Sequence, residues 1–172
     1  MKSYIGEIEQ ILKGGDDILT YENLPTSFIM NSPALAENIT KCDIFCEHRL
    51  PKEYKYFLEY YDGGTLFKYE DIGGYKFLST KEIIEVNELQ IKTYEEYWDG
   101  SIIFFCELLG NGEYLGFKTT ETSVYRIVHS MMAAKPEEWS VIEDSFDTLI
   151  EMIIKEKGKE YWFFPPYDRR SV

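Results

Sequence analysis

Pro51, the apolar series Tyr54, Phe57, Leu58 and Tyr61, and the glycine pair Gly63-Gly64 fix one element of this chain before any other. Proline suits the first helical position, where its missing N–H would have no partner anyway. Apolar residues at i, i+3, i+4 and i+7 share one helix face. Glycine then ends the helix, because it enters the left-handed C′ conformation without a steric penalty. The spacing predicts a helix of about three turns with one buried aromatic stripe.

Strand signals follow. Thr65 to Tyr69 and Tyr75 to Leu78 read as short strands around a Gly73-Gly74 turn. Ser79-Thr80-Lys81-Glu82 has the S-x-x-E spacing of a capping box. A helix is therefore expected from about Thr80 to Leu89, burying Ile83, Ile84 and, at its end, Leu89. Ile102 to Leu109 is rich in β-formers, Gly110-Asn111-Gly112 is a turn signal, and Tyr114 to Thr119 is the return strand of a hairpin. Val124 to His129 reads as a third strand in this run. Asp144-Ser145 caps a last helix that turns Phe146, Leu149, Ile150, Ile153 and Ile154 inward, with Gly158 just past its end. Upstream, Ser3 to Lys13 reads as a short helix stopped by Gly14-Gly15. Asp16 to Asp43 holds Pro25 and Pro33 and reads as irregular, with a turn of helix near Ala34 to Ile39.

Strands and helices do not alternate regularly, which argues against a doubly wound parallel sheet. The expected class is α+β: a mainly antiparallel sheet of about four to six strands, with helices packed on one face. A chain of 172 residues has the length of one domain. That domain is expected over 1–160, with 161–172, which contains Pro165-Pro166, as a tail.

Charge narrows the function. The chain has 18 basic and 31 acidic residues, a net charge of −13. Direct binding to a phosphate backbone needs clustered Lys and Arg, which the sequence lacks, and anionic membranes are disfavoured for the same reason. A basic partner is allowed and would be steered in electrostatically at short range. The most apolar stretch, Ile102 to Leu109, is broken by Glu107 and is too short to span a bilayer. The N-terminus has no continuous apolar run of the signal-peptide kind. Cys42, Cys46 and Cys106 cannot all pair within one molecule, so a reducing, cytoplasmic location is expected.

The groupings that could carry chemistry have plainer explanations. Cys42-x3-Cys46-x-His48 lacks the spacing of a zinc knuckle and reads as small buried thiols. His129 could act as a general base oriented by Glu143 or Asp144, yet no nucleophile motif accompanies it. The glycine pairs are turns, since none opens into a phosphate-binding Lys-Ser/Thr. No catalytic residue, metal or cofactor is expected. Tyr94-Glu95-Glu96-Tyr97-Trp98-Asp99 is different: aromatics flanked by acids in a connection suit a binding hot spot for a basic partner. The competing reading is that Tyr97 and Trp98 tuck over the sheet. Between Pro136 and Ile154 there are six acids and no Lys or Arg. The helix macrodipole explains Glu143, Asp144 and Asp147.

Taken in order, four segments resemble the SUKH superfamily, which includes fungal cell-wall synthesis regulators and many bacterial immunity proteins. They are Leu50-Pro51-Lys52-Glu53-Tyr54-Lys55 with Phe57-Leu58 and Gly63-Gly64; Phe77-Leu78-Ser79-Thr80-Lys81-Glu82-Ile83; Leu109-Gly110-Asn111-Gly112-Glu113-Tyr114; and Asp144-Ser145-Phe146 with Leu149. Together they span Leu50 to Ile154. The resemblance implies a domain without enzymatic activity that binds and neutralises a toxin domain made by the same cell, often a nuclease. The contact face expected here comprises Glu70, Asp71, Tyr94, Glu95, Glu96, Tyr97, Trp98 and Asp99, presented by a monomer or homodimer. Two other readings are a regulatory scaffold or adaptor, as in the fungal relatives, and a carboxylate- and metal-dependent hydrolase.

Overall fold

The structure, a computed structural model, describes residues 2–14, 18–96, 98, 100–119, 124–131, 134–167 and 170–171. Its helices are α1 (Ser3–Gly14), α2 (Ala36–Phe45), α3 (Lys52–Leu58), α4 (Thr80–Thr93) and α5 (Phe146–Lys155). Its strands are β1 (Ile18–Leu19), β2 (Pro25–Met30), β3 (Gly64–Tyr69), β4 (Gly73–Phe77), β5 (Ile102–Leu108), β6 (Glu113–Thr119), β7 (Tyr125–Ser130), β8 (Ser140–Glu143) and β9 (Arg170–Ser171). Each strand pairs antiparallel with the next, so sheet order equals chain order. β2 to β9 form one ladder of eight strands, and β1 adds two residues along the start of β2.

The α+β class and antiparallel sheet are as expected, but the sheet is larger than four to six strands. The extra strands arise where local pattern is weak. β2 buries only Phe28 fully, and β8 has four residues. The stretch read as irregular, Asp16 to Asp43, therefore contains β1, β2 and most of α2. α3 is shorter than three turns. Its end tightens, with the N–H groups of Tyr60 and Tyr61 both reaching the Phe57 carbonyl, at 3.0 and 2.9 Å.

The main core forms around Phe146. Its ring meets those of Tyr4, Tyr54, Phe57, Phe77, Phe105 and Phe117 at centroid distances of 5.1 to 6.2 Å. Tyr54 is fully buried, and its hydroxyl reaches the carbonyls of Leu78 (2.7 Å) and Phe105 (3.1 Å). Strand β5 is buried on both faces: Ile103 and Phe105 enter this core, while Ile102 and Phe104 enter a smaller cluster with Val128, Trp139 and Val141.

α4 keeps the expected capping box. The Ser79 N–H donates to the Glu82 carboxylate at 2.9 Å, and the Glu82 N–H donates to Ser79 Oγ at 3.2 Å. Asp62 adds an acceptor for the Thr80 N–H at 2.7 Å. The helix runs on to Thr93, leaving Leu89 exposed where burial was expected. Its buried Asn87 replaces a strand. Beyond Phe77, the end of β4, the Asn87 side-chain amide donates to the Phe104 carbonyl (2.9 Å) and accepts from the Phe104 N–H (2.8 Å). Both backbone groups of a buried β5 residue are thereby satisfied, as burial requires.

The segment expected as a tail is packed at its start. Tyr161 and Trp162 are buried, the Tyr161 hydroxyl donates to Glu143 at 3.0 Å, and β9 pairs with β8. Among the described residues, no helix is long and apolar enough to cross a membrane.

Candidate protein-binding surface

Strand pairing assigns the expected contact residues to two ends of the sheet. Tyr75 pairs with Leu108 and Phe77 with Cys106. The β3–β4 turn carrying Glu70 and Asp71 therefore lies at the end where β5 finishes. The connection from Tyr94 lies at the end where β5 begins. A seven-residue strand separates them by roughly 20 Å. The structure does not bring Glu70 and Asp71 together with Tyr94, Glu95, Glu96 and Trp98.

At the end where β5 begins, the aromatics are half-buried. Tyr94 stacks on Trp98 at 6.5 Å and meets Trp139 edge-on at 5.6 Å, and Trp98 packs on Phe104 at 5.8 Å. They roof the smaller cluster, so Trp98 tucks over the sheet. Glu95 and Glu96 are exposed; Tyr97 and Asp99 lie outside the described residues. Beside Trp98 is a hollow of about 280 Å³ reached by Phe45, Glu47 and Ile91. Arg49 crosses its edge, donating to the Gly100 carbonyl and pairing with Glu47 at 3.5 Å.

A larger hollow, about 550 Å³, is also at this end, with His48, Lys52, Glu53, Tyr125, Asp144 and Ser145 on its walls. Its polar groups serve the fold. The Tyr125 hydroxyl donates to Glu53 (3.3 Å) and accepts from the Phe146 N–H (3.1 Å), and Ser145 Oγ accepts from the Thr148 N–H. Burial pushes the Tyr125 hydroxyl pKa up to about 12, against the opposing pull of the Phe146 N–H. Basic and acidic walls alternate, giving no single sign of charge.

The opposite end is built differently. α5 ends at Lys155, and the chain turns away at Gly158, whose φ is +76° and whose N–H returns to the Ile153 carbonyl at 2.9 Å. A Cβ here would lie 2.7 Å from Cγ of Phe67, so both the conformation and the space call for glycine. The turn between β1 and β2 docks on this helix end through the Tyr21 N–H and the Lys157 carbonyl, 3.1 Å apart. Within the turn, Thr20 Oγ1 accepts from the Leu24 N–H at 3.1 Å. Two adjoining hollows of about 310 and 270 Å³ result, sharing Tyr21, Gly158 and Glu160. Large apolar side chains stand exposed around them: Tyr21 (47%), Ile72 (65%), Phe163 (41%) and Phe164 (44%). Lys159 Nζ lies 3.8 Å from the Phe164 ring centroid and 5.6 Å from that of Tyr21. Burial, and then the Glu113 charge, raise the Glu160 pKa above the ordinary carboxylate value.

Sequence reasoning missed Tyr21, Glu160, Phe163 and Phe164. One signal was available: Tyr161-Trp162-Phe163-Phe164 is too aromatic for a solvated tail.

The groups considered for catalysis or metal binding are dispersed. His129 is buried and lies 2.7 Å from Glu113, between the rings of Trp162 and Phe163. Glu143 receives Tyr161, and Asp144 lies 3.8 Å from Arg126. The orienting pair imagined for His129 is therefore replaced by Glu113. All three cysteines are buried free thiols. A hydrogen bond with Cys46, and then burial, raise the Cys42 pKa. Among the described residues, no group of three or more His, Cys, Asp or Glu could hold a metal ion.

The domain is thus an α+β fold built on an antiparallel meander, with exposed aromatics around a half-buried carboxylate. The chain belongs to the SMI1/KNR4 family (SUKH-1), whose family model matches residues 33–152. Comparison with curated proteins gives no match. The family span contains the Tyr54 helix and the β3–β8 sheet. Tyr21, Glu160, Phe163 and Phe164 lie outside it, on either side.

Proposed function

We propose that this chain is a non-enzymatic immunity protein that binds a cognate toxin domain, a nuclease on the favoured reading, and blocks it by protein–protein contact. Family membership is the observation that carries the proposal. The net charge of −13 supports it, because a nuclease must present a basic surface to nucleic acid. Electrostatic steering would speed encounter, and buried aromatic contacts would set residence time.

The contact face proposed is the end carrying Glu70, Asp71 and the exposed Tyr21, Ile72, Phe163 and Phe164. Glu95 and Glu96, beside Tyr94 and Trp98, form a separate acidic patch at the other end. The test is co-expression with the C-terminal domain of a large secreted protein encoded beside this chain, followed by titration of the purified pair. Immunity predicts growth rescue and nanomolar 1:1 binding. Neither rescue nor binding would favour a regulatory adaptor.

A further inference from the structure

Glu160 occupies an unusual position at the end of the sheet where β5 finishes. Its residue lines both adjoining hollows, and it is half-buried. Among the described residues its carboxylate has neither an ion-pair nor a hydrogen-bond partner. Leaving a carboxylate partly desolvated and unpaired costs free energy, which a cation from outside would recover. The neighbouring Lys159 does not fill this role: its ammonium lies over the Phe164 ring. A second polar group nearby is unsatisfied. Tyr75 lines the larger hollow, is 2% exposed, and its hydroxyl has no partner among the described residues.

We propose that the hollow at Glu160 is a socket for one arginine side chain of a basic partner protein. Charge complementarity selects a cation, and the aromatic surroundings select its type. A guanidinium is planar, stacks on aromatic faces, and presents a rigid fork of donors that matches a carboxylate. An ammonium offers neither the plane nor the fork. Tyr21 and Phe164 hold the Lys159 ammonium at their faces within the chain, so these faces attract a cation, and an incoming guanidinium displaces Lys159 from them. Tyr21, Glu160 and Phe164 fall outside the family span of 33–152, while the wall formed by Phe67, Tyr75 and Leu108 falls within it. The socket thus joins the family core to flanking segments of this chain. It deepens the immunity reading and rests on it for the identity of the partner, while the socket chemistry stands on its own.

The test uses the isotopically labelled full chain, with N-acetyl-argininamide as probe and the uncharged isostere N-acetyl-citrullinamide as control. The arginine probe should shift the ring signals of Tyr21 and Phe164 and the Glu160 carboxyl carbon, saturating in the millimolar range. Citrulline should give no such shifts, and Glu160→Gln should abolish the response while the fold, read by amide spectra, is kept. Phe164→Ala should weaken the response without removing it. Equal shifts with citrulline, or an arginine response spread over Glu95, Glu96 and Glu137 and unchanged in E160Q, would overturn the socket. So would dilution-dependent shifts of the same rings without probe, which would place a second copy of the chain there. With a toxin partner in hand, E160Q should weaken binding by about tenfold or more. Rescue that E160Q leaves intact would sink the socket and spare the immunity reading. Arginine binding with no toxin partner would do the reverse.

Discussion

The two ends of the sheet carry the same ingredients, aromatics beside acids, and use them in opposite ways. Where β5 begins, Tyr94 and Trp98 fold down over Phe104 and Trp139. Where β5 finishes, Tyr161 and Trp162 close the core, and Phe163 and Phe164 remain outside. The difference lies in what is underneath. Ile102, Phe104, Val128, Trp139 and Val141 form an apolar face that the 94–98 connection must cover. At the other end that need is met by Trp162, so Phe163 packs by one side on His129 and Trp162 and, like Phe164, stays partly exposed. An aromatic in a connection is a binding candidate only after the face beneath it is accounted for.

The largest effect that would test this contrast is at Asn87. Asn87→Leu orphans the N–H and C=O of Phe104 and should cost about 3 kcal/mol, read by chemical denaturation. A loss below about 1 kcal/mol would mean that α4 is not needed at the strand edge. Next comes the pair Trp98→Ala and Phe164→Ala. The first should cost about 2 kcal/mol as a lost roof, and the second no more than about 0.5 kcal/mol as a surface change. Equal losses would erase the distinction between the two ends. Gly158→Ala forces a side chain into φ +76° and against Phe67, and should cost about 1 kcal/mol or more.

The smallest effect sharpens the picture of Glu160, which is surrounded by Glu113, Tyr21, Tyr75 and Lys159. Its folded pKa is raised, so the stability linked to its proton is full below the ordinary carboxylate pKa and is lost as pH rises through the folded value. Glu160→Gln should match the parent at acid pH and gain on it toward neutrality in denaturation midpoints. A variant that loses ground as pH rises would show that the carboxylate is paired.

Much of the fold was legible because several segments state their geometry locally. Ser79 and Glu82 make the expected box, Ser145 caps α5, and Gly110 to Gly112 turns β5 into β6. Segments lacking a clean period were not legible. α2 fully buries only Cys42 and exposes Ile44, and β2 fully buries only Phe28, so neither shows an apolar face in sequence. The surface was less legible still. Glu70 and Asp71 stood out as acids in a turn. Tyr21 and Glu160 are brought together only by the docking of the β1–β2 turn on the end of α5, and no local spacing encodes that.

The chain-order sheet has a consequence for synthesis. Each strand pairs with the strand made just before it, across short turns from β3 to β4 and from β5 through β8, and across the helical connections that carry α2, α3 and α4. The sheet can therefore grow from β2 through β8 while translation continues. Gly158, Glu160 and Phe164 follow β2 to β8 in the chain and precede β9. If the end holding Glu160 is the toxin-binding face, a chain released before residue 158 would carry the family core without Glu160 and Phe164.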